Sequence, residues 1–233
     1  MENEYMKKRI AIILCVLLLA GVPVFAATEH WIGLGGDYSF SIATDKDSSP
    51  WNLNFDVTEQ AVGFNIMSYN FFNAKGAVGL YADLGFLFPI KEKAGNGSWV
   101  DSDSPMLFNA IVGPAYRYNI SKSVTFSTAA GLNLGVWSES GSGQYVNGRL
   151  TFVTLGLGID AGVQFAIDNK FFIRAGSKFG FDFGGHWSVS GNVGSLGSST
   201  GDWVDGYFRF TATPYIGGGV YLNTGKKSGL GRL

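Results

Sequence analysis

From Val153 to Ile167 the chain alternates with period two. Val153, Leu155, Leu157, Ile159, Ala161, Val163, Phe165 and Ile167 share one face, and Thr154, Gly156, Gly158, Asp160, Gly162, Gln164 and Ala166 share the other. A two-residue period is that of a β-strand. The second face is unusual because glycine weakens a strand and offers no side chain to pack, whereas a sheet face turned to water favours Thr, Lys, Glu or Arg. Glycine fits a cramped interior. In a barrel of about eight strands the lumen has room for small and a few polar side chains, and the apolar face turns to lipid.

The same alternation marks eight candidate strands. Four run one way, at Trp31 to Ile42, Gly76 to Phe88, Val124 to Trp137 and Phe171 to Phe183. Four run back, at Gln60 to Phe72, Leu107 to Asn119, Leu150 to Ile167 and Val204 to Leu222. Most reach the roughly 9 to 11 residues a tilted strand needs to cross the hydrocarbon. The second strand, "AVGFNIMSYNFF", lacks clean alternation and leaves the facing of Ser68 and Asn70 open.

The connections alternate too. Tight turns lie at "NAK", "SK" and "DNK", and long Gly/Ser/Asp/Asn-rich connections span Ala43 to Glu59, Pro89 to Met106, Ser138 to Arg149 and Gly184 to Trp203. Within the last, "SVSGNVGSLGSST" is low in complexity and reads as a mobile loop. Short turns at one end and long loops at the other are the pattern of outer-membrane barrels, which keep turns and termini in the periplasm. The fold expected is therefore all-β, an eight-stranded antiparallel up-and-down transmembrane β-barrel. Alternation alone does not say which face is inside, so a secreted sandwich or lipocalin-like barrel is the competing architecture.

Aromatic position by depth speaks to that choice. Val78, Leu80, Ala82 and Leu84 give way to Phe86 and Phe88 at the loop end, where Phe179, Phe181 and Phe183 also fall. The turn end carries Tyr116, Tyr118, Phe126, Phe165 and Phe171. Aliphatic middles between aromatic rims suit a bilayer.

A leader precedes the pattern. Lys7, Lys8 and Arg9 lead into an apolar run from Ile10 to Ala20, followed by Pro23 and Val24-Phe25-Ala26, which predicts a secretory signal over residues 1–26 cleaved after Ala26. The alternative is an uncleaved membrane anchor. Glu2 and Glu4 are foreign to a basic n-region and point to Met6 as a second candidate start. Beyond the leader come the barrel, 27–222, and a short basic periplasmic tail, 223–233.

Of 233 residues, 34 are Gly, 19 Phe, 10 Tyr and 6 Trp, with 15% charged, against ~25% in an average soluble domain. Net charge is −1, which gives no basic surface for nucleic acid. Cys15, in the leader, is the sole cysteine, so the mature chain has no disulfide and no Cys metal site. His30 and His186 are the only histidines, and no metal-ligand cluster or cofactor is expected. "GLGGDY" precedes no helix and is no phosphate loop.

The segments "GAVGLYADLGFLFP", "IVGPAYRYNISKSVTFSTAAGLNLGV", "TLGLGIDAGVQFAIDNKFFIRAGSKFGFDF" and "RFTATPYIGGGVYL" resemble the small eight-stranded outer-membrane barrels of double-membraned bacteria, the OmpA-barrel, OmpX and OmpW type. That resemblance implies residence in the cell outer membrane, contact with its lipids and insertion by the barrel-assembly machinery. Such barrels typically finish on a terminal Phe, whereas this chain continues past Tyr221 and Leu222 with "NTGKKSGLGRL". Its insertion signal would then be the internal "GGGVYL".

Two places can carry function. On lumen parity, Asp37, Asp83, Asp160 and Asp182 face Arg117, Arg174, Lys178 and Arg209. Pairing of the sixth and seventh strands about Asn169 would set Asp160 opposite Lys178 and Gln164 opposite Arg174. The expectation is an Asp160–Lys178 ion pair within a polar plug; the alternative is a gated pore, or an OmpW-like narrow channel for small hydrophobic molecules or ions. The second place is the loops, where Trp51, Trp99, Trp187 and Trp203 stand near Asp45, Asp47, Asp101 and Asp103. They can bind an extracellular or host ligand, or simply pack the loops and anchor the rim.

An enzyme is disfavoured. His186-Trp187-Ser188, with Asp202 or Asp205 to orient the His, resembles the His-x-Ser pair of outer-membrane lipid A deacylases, but Val189 stands where an Asn is expected. Strand parity would turn His186 and Ser188 toward the lumen.

Overall fold

The computed structural model describes residues 29–45, 55–72, 77–102, 106–143, 146–193, 199–204 and 207–222. The leader 1–26, the tail 223–233, Trp51, Asp47, Asp103 and Asp205 lie outside them. Among the described residues there are ten strands: β1 (Glu29–Asp45), β2 (Phe55–Phe71), β3 (Val78–Ala94), β4 (Val100–Asp101), β5 (Leu107–Asn119), β6 (Val124–Gly143), β7 (Val146–Ala166), β8 (Phe171–Val193), β9 (Ser199–Val204) and β10 (Tyr207–Leu222). Each long strand pairs antiparallel with its sequence neighbour, and β10 closes the ring onto β1. The result is a closed eight-stranded up-and-down barrel, with β4 and β9 as short additions at one end.

The barrel is inside-out relative to a soluble protein. Leu34, Leu132, Leu157 and Ile216 point outward and are 52–66% exposed, while Asp83, Asp160, Arg174 and Lys178 point inward and are buried to 2% or less. The lipocalin-like alternative is thereby overturned: the apolar face is the outer one. Exposed Phe88, Phe181 and Phe183 mark one rim, and Tyr116, Tyr118, Phe165 and Phe171 the other.

Inward glycine makes room for large neighbours. A Cβ at Gly162 would lie 2.9 Å from the guanidinium carbon of Arg174, and one at Gly176 would lie 2.7 Å from the Tyr215 hydroxyl. Proline explains two lapses in the ladder. Pro114 and Pro214 have no N–H to donate, and pairing is interrupted beside them, between Val112↔Leu132 and Ala115↔Ala129 and between Asp37↔Tyr215 and Phe40↔Ala212.

Strand two alternates after all. Val62, Phe64 and Ile66 face outward, and Asn65, Met67, Tyr69 and Phe71 are buried on the other parity. Ser68 and Asn70 continue the outward parity, where the Asn70 amide donates to Ser68 Oγ at 3.1 Å and Ser68 lies 3.2 Å from His30 Nε2.

The long connections differ most from expectation. Where described, they are largely strand: β6 and β7 run on to Gly143 and Val146, β8 to Val193, and β9 pairs with β8 from Gly185↔Val204 to Ser190↔Ser199. The stretch read as mobile is in strand from Ser188 to Val193 and again from Ser199. Backbone hydrogen bonding persists past the aromatic rim because paired polar strands satisfy their N–H and C=O groups in water as well as in lipid.

Two β-bulges sit at this rim. The β7–β8 register steps from Gly156↔Asp182 to Leu155↔Gly184 and skips Phe183; the β2–β3 register steps from Ala61↔Pro89 to Gln60↔Lys91 and skips Ile90. Bulges favour barrel rims. The one at Phe183 inverts alternation, so His186, opposite Val153, falls on the outward parity with Ser188. This corrects the lumen-side placement and takes the His-x-Ser pair away from the interior acids.

Candidate functional site: the plugged lumen

Glycine and short polar residues let long side chains from opposite walls meet on the axis. As expected from a pairing about Asn169, Asp160 lies across from Lys178 and Gln164 from Arg174. The ion pairs, however, differ from expectation. Asp160 pairs with Arg174, not Lys178. Lys178 reaches across the lumen to Asp37 at 2.9 Å and Asp83 at 3.0 Å. The physical reason is reach: cross-strand facing places Cβ atoms side by side, but in a barrel long side chains extend inward and choose among all walls.

Asp160 is the most heavily bonded of the four acids. One oxygen accepts from Tyr69 and from the Arg174 guanidinium, and the other from the Tyr215 hydroxyl at 2.8 Å. Arg174 also donates through Nε to Tyr215 at 2.7 Å, through Nη2 to Tyr69 at 2.9 Å, and through Nη1 to Ser127. A buried ion pair is tolerable only when its remaining lone pairs and protons find partners, and here Tyr69 of β2, Ser127 of β6 and Tyr215 of β10 supply them.

Toward the turn end the lumen is aromatic. Trp31, Tyr69, Phe71, Tyr81, Phe172 and Tyr215 are buried in one cluster with Tyr221 against it. Arg117 ends here, paired with Glu29 at 2.6 Å and 4.2 Å from the Phe71 ring centre. Gln164 donates to the Tyr221 hydroxyl at 2.8 Å. Toward the hairpin end, Asp182 accepts from Asn133 at 2.6 Å and Thr154 at 2.9 Å, and Arg209 lies 3.7 Å from Glu59. Ala61, Leu87 and Leu107 cluster near this mouth with Trp137 against them. Below lies a small cavity of about 20 Å³ lined in part by Lys178, Asp182 and Arg209.

Asp37, Asp83, Arg117, Asp160, Gln164, Arg174, Lys178 and Asp182 are buried on the inward face, and Arg209 lines the cavity. Glu29, Glu59, Tyr69, Tyr215 and Ser127 were not anticipated. Parity carried the signal for Tyr215, two and six residues from Thr213 and Arg209, and for Glu29, two before Trp31; the irregular outer face of β2 hid Tyr69. The loop tryptophans do not come together as one described group. Trp99 is exposed, with the Lys93 ammonium 5.5 Å from its ring centre. Trp187 and Trp203 occupy strand positions opposite Phe152 and His186.

No family model matches the chain, and no curated protein matches its sequence. Solved structures do. OprG, an outer membrane protein from Pseudomonas aeruginosa, superposes with a TM-score of 0.52 at 10% identity, over 85% of this chain and 98% of that one. Ail, the attachment invasion locus protein of Yersinia pestis, gives 0.45 at 17% identity, over 84% and 99%. Neisserial surface protein A gives 0.46 at 14%, over 82% and 96%. The fold is that of the small eight-stranded outer-membrane β-barrels.

Proposed function

We propose that the chain is exported by its leader, inserts in the outer membrane by way of the barrel-assembly machinery, and serves there as a non-enzymatic binding protein. The barrel is the anchor, its lumen closed to bulk solutes by the Arg174–Asp160 and Lys178–Asp37–Asp83 groups. Binding belongs to the strands raised above the rim. The observation that carries this reading is the register of β6–β7–β8–β9, which continues beyond the bulge as an antiparallel sheet. Among the described residues, 139–143 of β6 and all of β9 have a ladder partner on one side only. An unpaired edge offers N–H and C=O groups to an extended segment of another polypeptide. The occupant is accordingly an extracellular or host protein that adds a strand.

The test compares Thr200→Pro with Gly201→Pro on intact cells. Adjacent strand residues point their N–H groups to opposite sides, and proline removes the donor. One variant should lose binding to an immobilised panel of extracellular-matrix proteins while keeping its fold, and the other should disturb the β8 pairing. Binding unchanged in both, with the barrel intact on unboiled gels, would overturn the edge reading.

A further inference from the structure

The cavity near the hairpin end is lined by Asn109, Asn133, Gly180, Lys178, Asp182 and Arg209, among others. Its volume of about 20 Å³ exceeds the roughly 10 to 15 Å³ that one water needs in this measure. Polar partners converge there. Asn109 Oδ1 and Asn133 Oδ1 are buried acceptors with no hydrogen-bond partner. The Lys178 ammonium has three N–H donors, of which Asp37 and Asp83 take two. The Arg209 guanidinium directs one nitrogen to Ser41 and Glu59 and has other N–H donors.

We infer that this chamber is a built site for one neutral, water-sized molecule, and that its occupant is a tightly held water. The valence matches. Two unpartnered carbonyl oxygens accept the two hydrogens of water, and two cationic side chains donate to its two lone pairs. A cation would meet Lys178 and Arg209, and an anion would meet Asp182 and the two amide oxygens, so either ion faces like charge at short range.

The water also accounts for Asp182, which has no ion pair among the described residues although Arg209 lies opposite it in the ladder. The Asn133 amide donates to Asp182, and its carbonyl would accept from the water that Lys178 polarises. Charge on Lys178 thereby reaches Asp182 through a hydrogen-bonded chain, in which each link strengthens the next. Glycine keeps the chamber open: a Cβ at Gly180 would lie 3.1 Å from Asn133 Nδ2.

The experiment is a high-resolution crystal structure of the whole barrel grown in rubidium bromide, read together with water-to-amide cross-relaxation in detergent NMR. The expected result is a single non-anomalous density peak within 3.2 Å of both asparagine side chains, with a water cross-peak to the Asn133 side-chain amide. An anomalous rubidium or bromide peak in the chamber would overturn the neutral-ligand assignment. An empty chamber without a cross-peak would overturn occupancy altogether. In Asn109→Leu the cross-peak should fall several-fold while heat-modifiability is retained, and an undiminished cross-peak would remove Asn109 from the site. Wild-type data decide the matter even where that variant fails to insert.

Discussion

Asp160 and Lys178 face each other across the β7–β8 ladder, yet each finds its ionic partner elsewhere: Asp160 in Arg174 on the same strand as Lys178, and Lys178 in Asp37 and Asp83 on the far wall. The lumen is therefore crossed by two separate charge groups. Their separation can be measured. In double-mutant cycles, Lys178 should couple to Asp37 and to Asp83 by about 1 kcal/mol or more, and to Asp160 by less than about 0.5 kcal/mol. A Lys178–Asp160 coupling larger than either of the others would contradict the arrangement.

Arg174→Ala should cost about 3 to 5 kcal/mol, because it leaves the buried Asp160 without its cation and with two hydroxyls for company. The double variant Arg174→Met, Asp160→Leu should recover most of that loss, since a well-packed apolar pair avoids burying charge. Urea unfolding in lipid vesicles, followed by gel mobility, gives both values.

Planar-bilayer recordings of the wild type should show small or no steady currents, since an eight-stranded lumen has room only for its own side chains. Lys178→Ala should raise them by freeing Asp37 and Asp83 from their shared cation. Large wild-type channels would mean that the lumen is open.

Gly162→Val and Gly176→Val place carbon where Arg174 and Tyr215 already sit, and each should cost about 1 to 3 kcal/mol as overpacking does. Ala175→Val, on the exposed outer face between them, should be neutral to within about 0.5 kcal/mol. That contrast between adjacent residues would be reversed in a soluble barrel.

The turn at Asp168 predicts a pH effect. Its carboxylate accepts from the backbone N–H groups of Lys170 at 2.6 Å and Phe171 at 2.8 Å, and these bonds hold its pKa below the ordinary aspartate value. A depressed folded value favours the turn above the unfolded pKa, and that contribution is lost as pH falls through the folded one. Carbon-detected NMR titration should find Asp168 below the ordinary aspartate value, and Asp168→Asn should flatten the acid dependence of amide exchange at Phe171.

Much of this barrel was legible in alternation because lipid, wall and lumen impose a period of two on every spanning strand. Eight strands, the tight turns at "SK" and "DNK", and the opposition of Asp160 to Lys178 follow from that period and from "DNK". Which charges pair does not. Arg174 reaches Asp160 because Gly162 and Gly176 vacate the space between them, and Tyr69 joins because β2 crosses the same level from another wall, so the answer depends on barrel closure. The hairpin extensions were hidden for a different reason. Gly, Ser and Asn carry weak strand preference, and β8 beyond Phe183 is held by its neighbours on both sides, not by its own composition.

The unpaired Phe183 separates two readings of one strand. Below it even-numbered residues of β8 serve the lumen, and above it they turn away. Deleting Phe183 would remove the bulge and leave Gly184 opposite Leu155 and His186 opposite Val153, so the raised part of β8 would keep its sides while Arg174 and Lys178 stay where they are. The bulge is thus a place where a one-residue deletion shortens the strand without turning over either the anchor or the surface shown to the outside.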